Sequence, residues 1–351
     1  MSVLAARPAP PAGSATRARR GTAPARLRVA AVAAALLVAI ATLGAIAAMT
    51  GDFPVALPDV IGSLTGSTAG LPRTVVLDWR MPRIGAAVVV GAALGVAGAL
   101  FQGVTRNPLA SPDILGLSQG AFVGMLGAVV LVGSSWESRT VGALVGGLAA
   151  ALVIVLLSSG TGAGGFRFIV VGIAVSSMAA SLGTWLLLRV ELDVAMTASA
   201  WGAGTLAGVD RTGVGTAAAL IAALLVAVPV LSPAIRQLEL GDDLAAATGV
   251  RVAGARLAAL GIGVALVCVA TTVAGPVAFI ALAAPQIARR LTRTPHVPAP
   301  VAGLVGAALL LGADLVAQHA LPVTVPVGVV TVVIGGCYLV ALLVAEIRRR
   351  R

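Results

Sequence analysis

Apolar residues along this chain gather in ten long runs, near 29–49, 84–104, 113–133, 140–158, 167–188, 213–231, 252–273, 277–290, 299–317 and 327–346. The segments between them hold most of the charge and most of the proline. A helix needs about 20 apolar residues to cross a bilayer, and most of these runs have that length. Strands are not indicated, because the runs lack a period of two and are too long for the strands of a soluble core. The pattern predicts an all-α polytopic membrane protein with ten transmembrane helices.

Within that pattern the stretch from Arg80 to Gly120, RMPRIGAAVVVGAALGVAGALFQGVTRNPLASPDILGLSQG, carries the most information. Arg80 and Arg83 flank Pro82, which suits a first helical turn but not a helix interior, so a helix is expected to start near Arg83. From Ile84 to Val104 the chain is almost wholly apolar, and Gly91, Gly95 and Gly98 let a neighbouring helix approach backbone to backbone. Turn formers follow: Arg106, Asn107, Pro108, Ser111, Pro112 and Asp113, before a new apolar run begins at Ile114.

This ordered set resembles the ABC importer permeases that take up iron-siderophore complexes, haem and cobalamin. In that family the Arg-Pro-Arg entry, the Gly-rich helix ending in Gln (Gln102) and the Asn-Pro-Leu-Ala turn (Asn107 to Ala110) recur together. Three later segments agree with it: ELGDDLAAATGVRVAGAR from Glu239, AGPVAFIALAAPQIARRL from Ala274, and GADLVAQ from Gly312 followed by VPVGVVTVVIGG from Val325. The resemblance covers residues 29–347 and implies the type II ABC importer permease fold, with a structural turn at Asn107 and Pro108.

Composition supports the membrane class independently of the family. Hydrophobic residues make up 59% of the chain and charged residues 11%, with a mean hydropathy of +1.05. The net charge of +11 comes from 24 arginines and no lysine. With one Tyr, four Trp and no basic stripe interleaved with aromatics, that charge reflects topology and excludes a nucleic-acid interface. An even number of spans puts both termini on one side, where eighteen arginines fall against six on the other. The positive-inside rule makes the termini cytoplasmic and the protein a resident of the cytoplasmic membrane. Residues 1–28 read as a disordered cytoplasmic tail and residues 348–351 as a short basic one. Arg19 and Arg20 do not make an export signal, because the following apolar run is of span length.

The segment 232–252 is the candidate for mechanism. Pro233, Arg236, Glu239, Asp242 and Asp243, then Leu244 to Ala247 and Gly249, read as a short capped helix with a glycine stop. Taken alone, it is equally a solvated connector whose acids complement the helix dipole. The resemblance implies a coupling helix that seats in a groove of the ATP-binding subunit through Gly241, Asp242, Ala245, Thr248 and Gly249. Arg80 and Arg83 lie on the arginine-poor side, where arginines either anchor a span at head groups or dock a partner. The resemblance implies docking to acidic residues of a substrate-binding protein, with Gln318 at the position where the family often has a further arginine. It also places Leu94, Gly98, Gln102, Ser176 and Met178 near the translocation path.

Other chemistry is poorly supplied. Cys268 and Cys337 fall inside predicted spans without metal-ligand spacing, and His296 and His319 are too few and too far apart for a zinc or haem site. Ser176 and Ser177 have no base beside them, which argues against an intramembrane serine protease. Asp314 lies inside the ninth run and is either a proton relay of a secondary transporter or a hydrogen-bonded member of the bundle; the Ala-Asp motif favours the second. No GxxxxGK[ST] loop is present to cradle a nucleotide, and the resemblance implies that ATP and Mg sit on a partner subunit, with no cofactor on this chain. The expected partners are a second permease subunit, identical or related, two copies of an ATP-binding subunit, an extracytoplasmic substrate-binding protein and membrane lipid. The expected cargo is a ferric siderophore, with haem or cobalamin as the alternative.

Overall fold

The computed structural model describes residues 22–133, 135–158 and 166–350, and all regular structure among them is helical. Helix α1 (Thr22–Met49) starts ahead of the hydropathy boundary, so residues 22–28 are helical and not tail. Pro24 stands in its first turn, where a missing N–H costs nothing. Residues 1–21 of the expected tail lie outside the described residues. The Pro- and Gly-containing stretch that follows forms α2 (Leu57–Thr65) and the single turn α3 (Leu71–Thr74), each with proline at its start.

The central helix α4 (Met81–Thr105) does not begin at Arg83. A π-helical turn over Val75–Arg80 joins it to α3, making a continuous 35-residue rod from Leu71 to Thr105. In an α-helix the Pro82 ring would collide with the carbonyl four residues back. The wider turn, in which the Met81 N–H reaches Val76 O, accommodates that collision and carries the rod through the proline.

The chain continues through α5 (Leu117–Leu131), α6 (Trp136–Ser158), α7 (Phe166–Leu187), α8 (Leu192–Gly202) and α9 (Arg211–Leu238). It ends with α10 (Asp242–Ala247), α11 (Val252–Ala274), α12 (Ile280–Thr292), α13 (Ala299–His319) and α14 (Val327–Arg350). Helix α4 is the core, packed on α1, α9, α11, α12 and α13. Its glycines let α13 close in: a Cβ on Gly91 would stand 2.4 Å from Gly306 O, and one on Gly95 2.2 Å from Ala302 O. Helices α5 and α6 pack the same way through Gly120, Gly124, Gly142 and Gly146.

Each of the ten apolar runs carries a helix, but among the described residues seven helices are long and apolar enough to cross a membrane. Two of the others are half-length. Helices α5 and α12 have 15 and 13 residues, about 22 and 20 Å against a core of about 30 Å. Their N-termini lie at mid-depth: Gly116 abuts the backbone of Ser176, halfway along α7, and Ala281 O abuts Gly98 within α4. Proline-rich irregular backbone precedes each, including Phe279 at φ 69°, and burial in protein is what permits such backbone at membrane depth.

Two helices run past their expected ends. Helix α9 continues through Pro229 and Pro233 to Leu238 instead of stopping at 231, held by the buried side chains of Val228 and Ile235 on either side of the prolines. Helix α14 includes residues 348–350, expected as tail. Helix α8 falls in no apolar run; its Trp201 stacks on Phe122 with ring centroids 6.2 Å apart.

Candidate functional site

At the end of the molecule where α4 begins, the three expected docking residues are held by contacts within the chain. Arg83 forms a forked ion pair with Asp314 on α13, Nε donating to Oδ2 and Nη2 to Oδ1, each at 2.9 Å. Gln318, one turn along α13, donates to Oδ2 of the same carboxylate at 2.7 Å. The Asp314 side chain is 3% exposed and that of Arg83 26%. Asp314 is thus the paired, hydrogen-bonded residue that its motif suggested. Arg80 donates to Ala48 O at 2.7 Å and Phe53 O at 2.6 Å, clasping the chain that leaves α1. None of the three presents a free charge, although Arg73 is exposed nearby and Arg211 forms only a solvated pair with Asp78 at 3.6 Å.

At the opposite end, helix α10 is bracketed by two glycines with positive φ, Gly241 at 122° and Gly249 at 86°. A side chain would strain either position, which gives these glycines a conformational role. Asp242 opens the helix and is gripped by Arg256 of α11 at 2.9 Å and by Arg106 at 3.4 Å. The turn after α4 is thereby tied to α10. That turn is closed by Asn107, whose side chain accepts from Leu109 N at 2.9 Å and whose carbonyl accepts from Ala110 N at 3.1 Å, with Pro108 between them. Thr248 Oγ1 donates to Gln237 Oε1 at 2.7 Å, tying the far end of α10 to α9.

Ala245, expected on the partner face, is fully buried beneath α10, because the two arginines holding Asp242 turn that side of the helix inward. The outward face comprises Asp243, Leu244, Ala247, Thr248 and Gly249. Leu244 is 58% exposed and Leu240, just before the helix, 70%. Sequence reasoning missed these two leucines; their i, i+4 spacing on an otherwise polar segment was the available signal.

Three of the five expected path residues lie in the subunit interior. Leu94 is 2% exposed. A Cβ on Gly98 would stand 1.8 Å from Ala281 O. Gln102 is buried, donating to Leu282 O at 3.0 Å and accepting from Gln286. Gly98 and Gln102 of α4 thus pack against and hydrogen-bond the half-helix α12. Met178 is 73% exposed on α7. Ser176 lines a cleft of about 450 Å³ together with Asp113, Ser118, Gln119, Pro276 and Val333, where the N-termini of α5 and α12 converge. Asp113, Ser118 and Gln119 were not anticipated as cleft residues; their turn-like sequence gave no sign that the turn folds back to mid-depth.

Comparison with known proteins agrees with this architecture. The FecCD transport family matches residues 35–345. This chain belongs to that family. Among its relatives, the ferric enterobactin transport system permease protein FepG of Escherichia coli K12 is 44% identical over 292 residues, covering 83% of this chain and 88% of its own length. The probable siderophore transport system permease protein YfhA of Bacillus subtilis is 35% identical, with 81% and 86% covered. A solved metal-chelate type ABC transporter in an inward-facing conformation superposes with a TM-score of 0.80 at 23% identity, over 90% of this chain and 99% of its own, and so shares the fold. As a FecCD member the chain is a multi-pass membrane permease subunit and not an enzyme; in ABC importers ATP hydrolysis belongs to a partner subunit.

Proposed function

We propose that this permease passes ferric siderophores across the cytoplasmic membrane, with both termini and α10 on the cytoplasmic side. The observation that carries the cargo is the 44% identity to a ferric enterobactin permease over most of both chains. The ten apolar runs are read as ten crossings, two of them made by a half-helix and the irregular chain leading into it. The exposed faces of α7 and α14, with Met178 at 73% and Val333 at 60%, suit a second permease subunit, and the path runs between the two along the cleft at Ser176. Leu240, Leu244 and Thr248 form the face that seats on an ATP-binding subunit, which carries ATP and Mg. A substrate-binding protein delivers the cargo to the opposite end. There, Arg80, Arg83 and Gln318 shape the docking surface by fixing α1 and α13, while exposed arginines such as Arg73 meet the acidic partner.

The secondary-transporter alternative relies on Asp314 as a proton carrier. Its carboxylate is instead committed to Arg83 and Gln318. Accumulation of radioiron offered on a panel of siderophores, in cells lacking the gene and in cells with it restored, tests the cargo. Restored uptake of one chelate class is the expected result. Normal uptake of every chelate in the deleted cells, once other importers are removed, would move the reading to haem or cobalamin.

A further inference from the structure

Helices α4, α9 and α13, with the segment leading into α13, leave a groove of about 690 Å³. Its walls are apolar, formed by residues such as Val96, Leu225, Val228 and Leu304. It exists because small residues, Ala92 and Ala99 on α4 and Gly303 on α13, face a helix interrupted by Pro229. Along α4 the lining extends from Ala92 to Leu100, about 12 Å at the helical rise, which is less than half the bilayer core. One end reaches the level of Arg236, Glu239 and His296, the same end of the molecule as α10 and both termini.

That rim carries an exposed cation. Arg236 is exposed and has no ion-pair partner within 4.0 Å among the described residues. Glu239, beside it on the rim, is half-buried and its carboxyl is pushed upward by burial, offset by a hydrogen bond from the Val297 backbone and by the charges of Arg289 and Arg236. His296 is pushed below its ordinary value by burial and then by Arg236. Arg236 is thus an exposed cation without an ion-pair partner at the mouth of an apolar slot.

We propose that this groove holds one acyl chain of an anionic phospholipid from the surrounding bilayer, with the headgroup phosphate seated on Arg236. Charge complementarity and membrane depth select this occupant. A partner's transmembrane helix would cover the apolar walls but would bring no anion of its own to Arg236. A soluble anion would leave the apolar walls unused. Basic pockets between spans on the cytoplasmic side are suited to anionic headgroups. The inference rests on the chain being membrane-embedded, as its family establishes, and not on the identity of its cargo.

The test is native mass spectrometry of the full-length permease, purified with its ATP-binding partner. The probes are phosphatidylglycerol and phosphatidylcholine with the same acyl chains. The wild-type complex is expected to favour phosphatidylglycerol by about fivefold, the share one cationic side chain supplies at an anionic lipid surface. Arg236→Ala, an exposed change that leaves the walls intact, should abolish that preference, while Arg211→Ala at the other end should preserve it. Leu225→Trp, which fills the slot, should weaken binding of both lipids. Equal binding of the two lipids by the wild type, or an undiminished preference in Arg236→Ala, would overturn the proposal. So would displacement of phosphatidylglycerol by inorganic phosphate, which would make the ligand a free anion. Failure of siderophore uptake in cells would refute the cargo without touching this result.

Discussion

The two ends of this permease each carry an arginine-aspartate cluster, and they use it in opposite ways. At the end where α4 begins, Arg83, Asp314 and Gln318 form a closed network inside the α4/α13 contact, with the carboxylate 3% exposed. At the opposite end Asp242 is held by Arg256 and Arg106 while remaining 43% exposed, and the helix it anchors leaves Leu244, and Leu240 just before it, facing outward. One cluster locks two spans together. The other orients a surface. A pair whose carboxylate is buried and fully committed is a structural bolt, whereas a half-solvated pair that fixes a short helix leaves that helix free to serve a partner.

The sharpest way to break this contrast is Asp314→Ala. It leaves the partly exposed Arg83 and Gln318 without their shared acceptor and is expected to destabilise the permease by about 3 kcal/mol, the low end for breaking a buried pair, read as a fall in melting temperature in detergent. If Arg83→Met combined with Asp314→Leu recovers most of that loss, the network is a bolt; if neither variant melts lower than wild type, it is not. Next comes Leu244→Arg. Removing a central apolar anchor from a docking face costs about 2 kcal/mol of association or more, so copurification of the ATP-binding subunit should fall by over an order of magnitude with the melting temperature unchanged. Retention of the partner would refute the outward face. Asp242→Ala should cost about 1 kcal/mol of fold stability, the scale of a partly solvated pair, and should also weaken coupling because Arg256 loses its acceptor.

The smallest effect is titration of His296 at the α10 end of the molecule. Its folded-state pKa lies below 6.5, with burial the main cause and Arg236 the lesser one. The stability it contributes is therefore present above 6.5 and is lost as pH falls through that value and on to the folded pKa. Arg236→Ala should move the imidazole pKa upward without restoring the ordinary value, as followed by proton NMR of the ring. An unchanged titration would show that Arg236 does not face the histidine.

Helix identity was written plainly in the chain, because each apolar run had to be helical to satisfy its own backbone in lipid. The turn formers at Asn107 and Pro108 and the glycine stop at Gly249 were equally legible, since they rest on local backbone chemistry, whereas the positive φ of Gly241 was not. The site was less so. Leu94, Gly98 and Gln102 were expected near the path from the resemblance, and nothing in the sequence signalled that Leu94 would be buried or that Gly98 and Gln102 would pack against α12, some 180 residues away in the chain. Ala245 was placed on the partner face by the same reasoning, and only the grip of Arg106 and Arg256 on Asp242 shows which side of that short helix is turned inward.

Composition and pattern by themselves determined the membrane class, the all-helical fold and the family, because each depends on the solvent the chain must satisfy or on residues adjacent in sequence. Tertiary structure alone decided which arginines are spent on internal partners, where the half-helices α5 and α12 begin, and that a slot opens between α4, α9 and α13. Those outcomes depend on which helix comes to lie against which, and hydropathy, which measures each run against lipid, carries no information about neighbours.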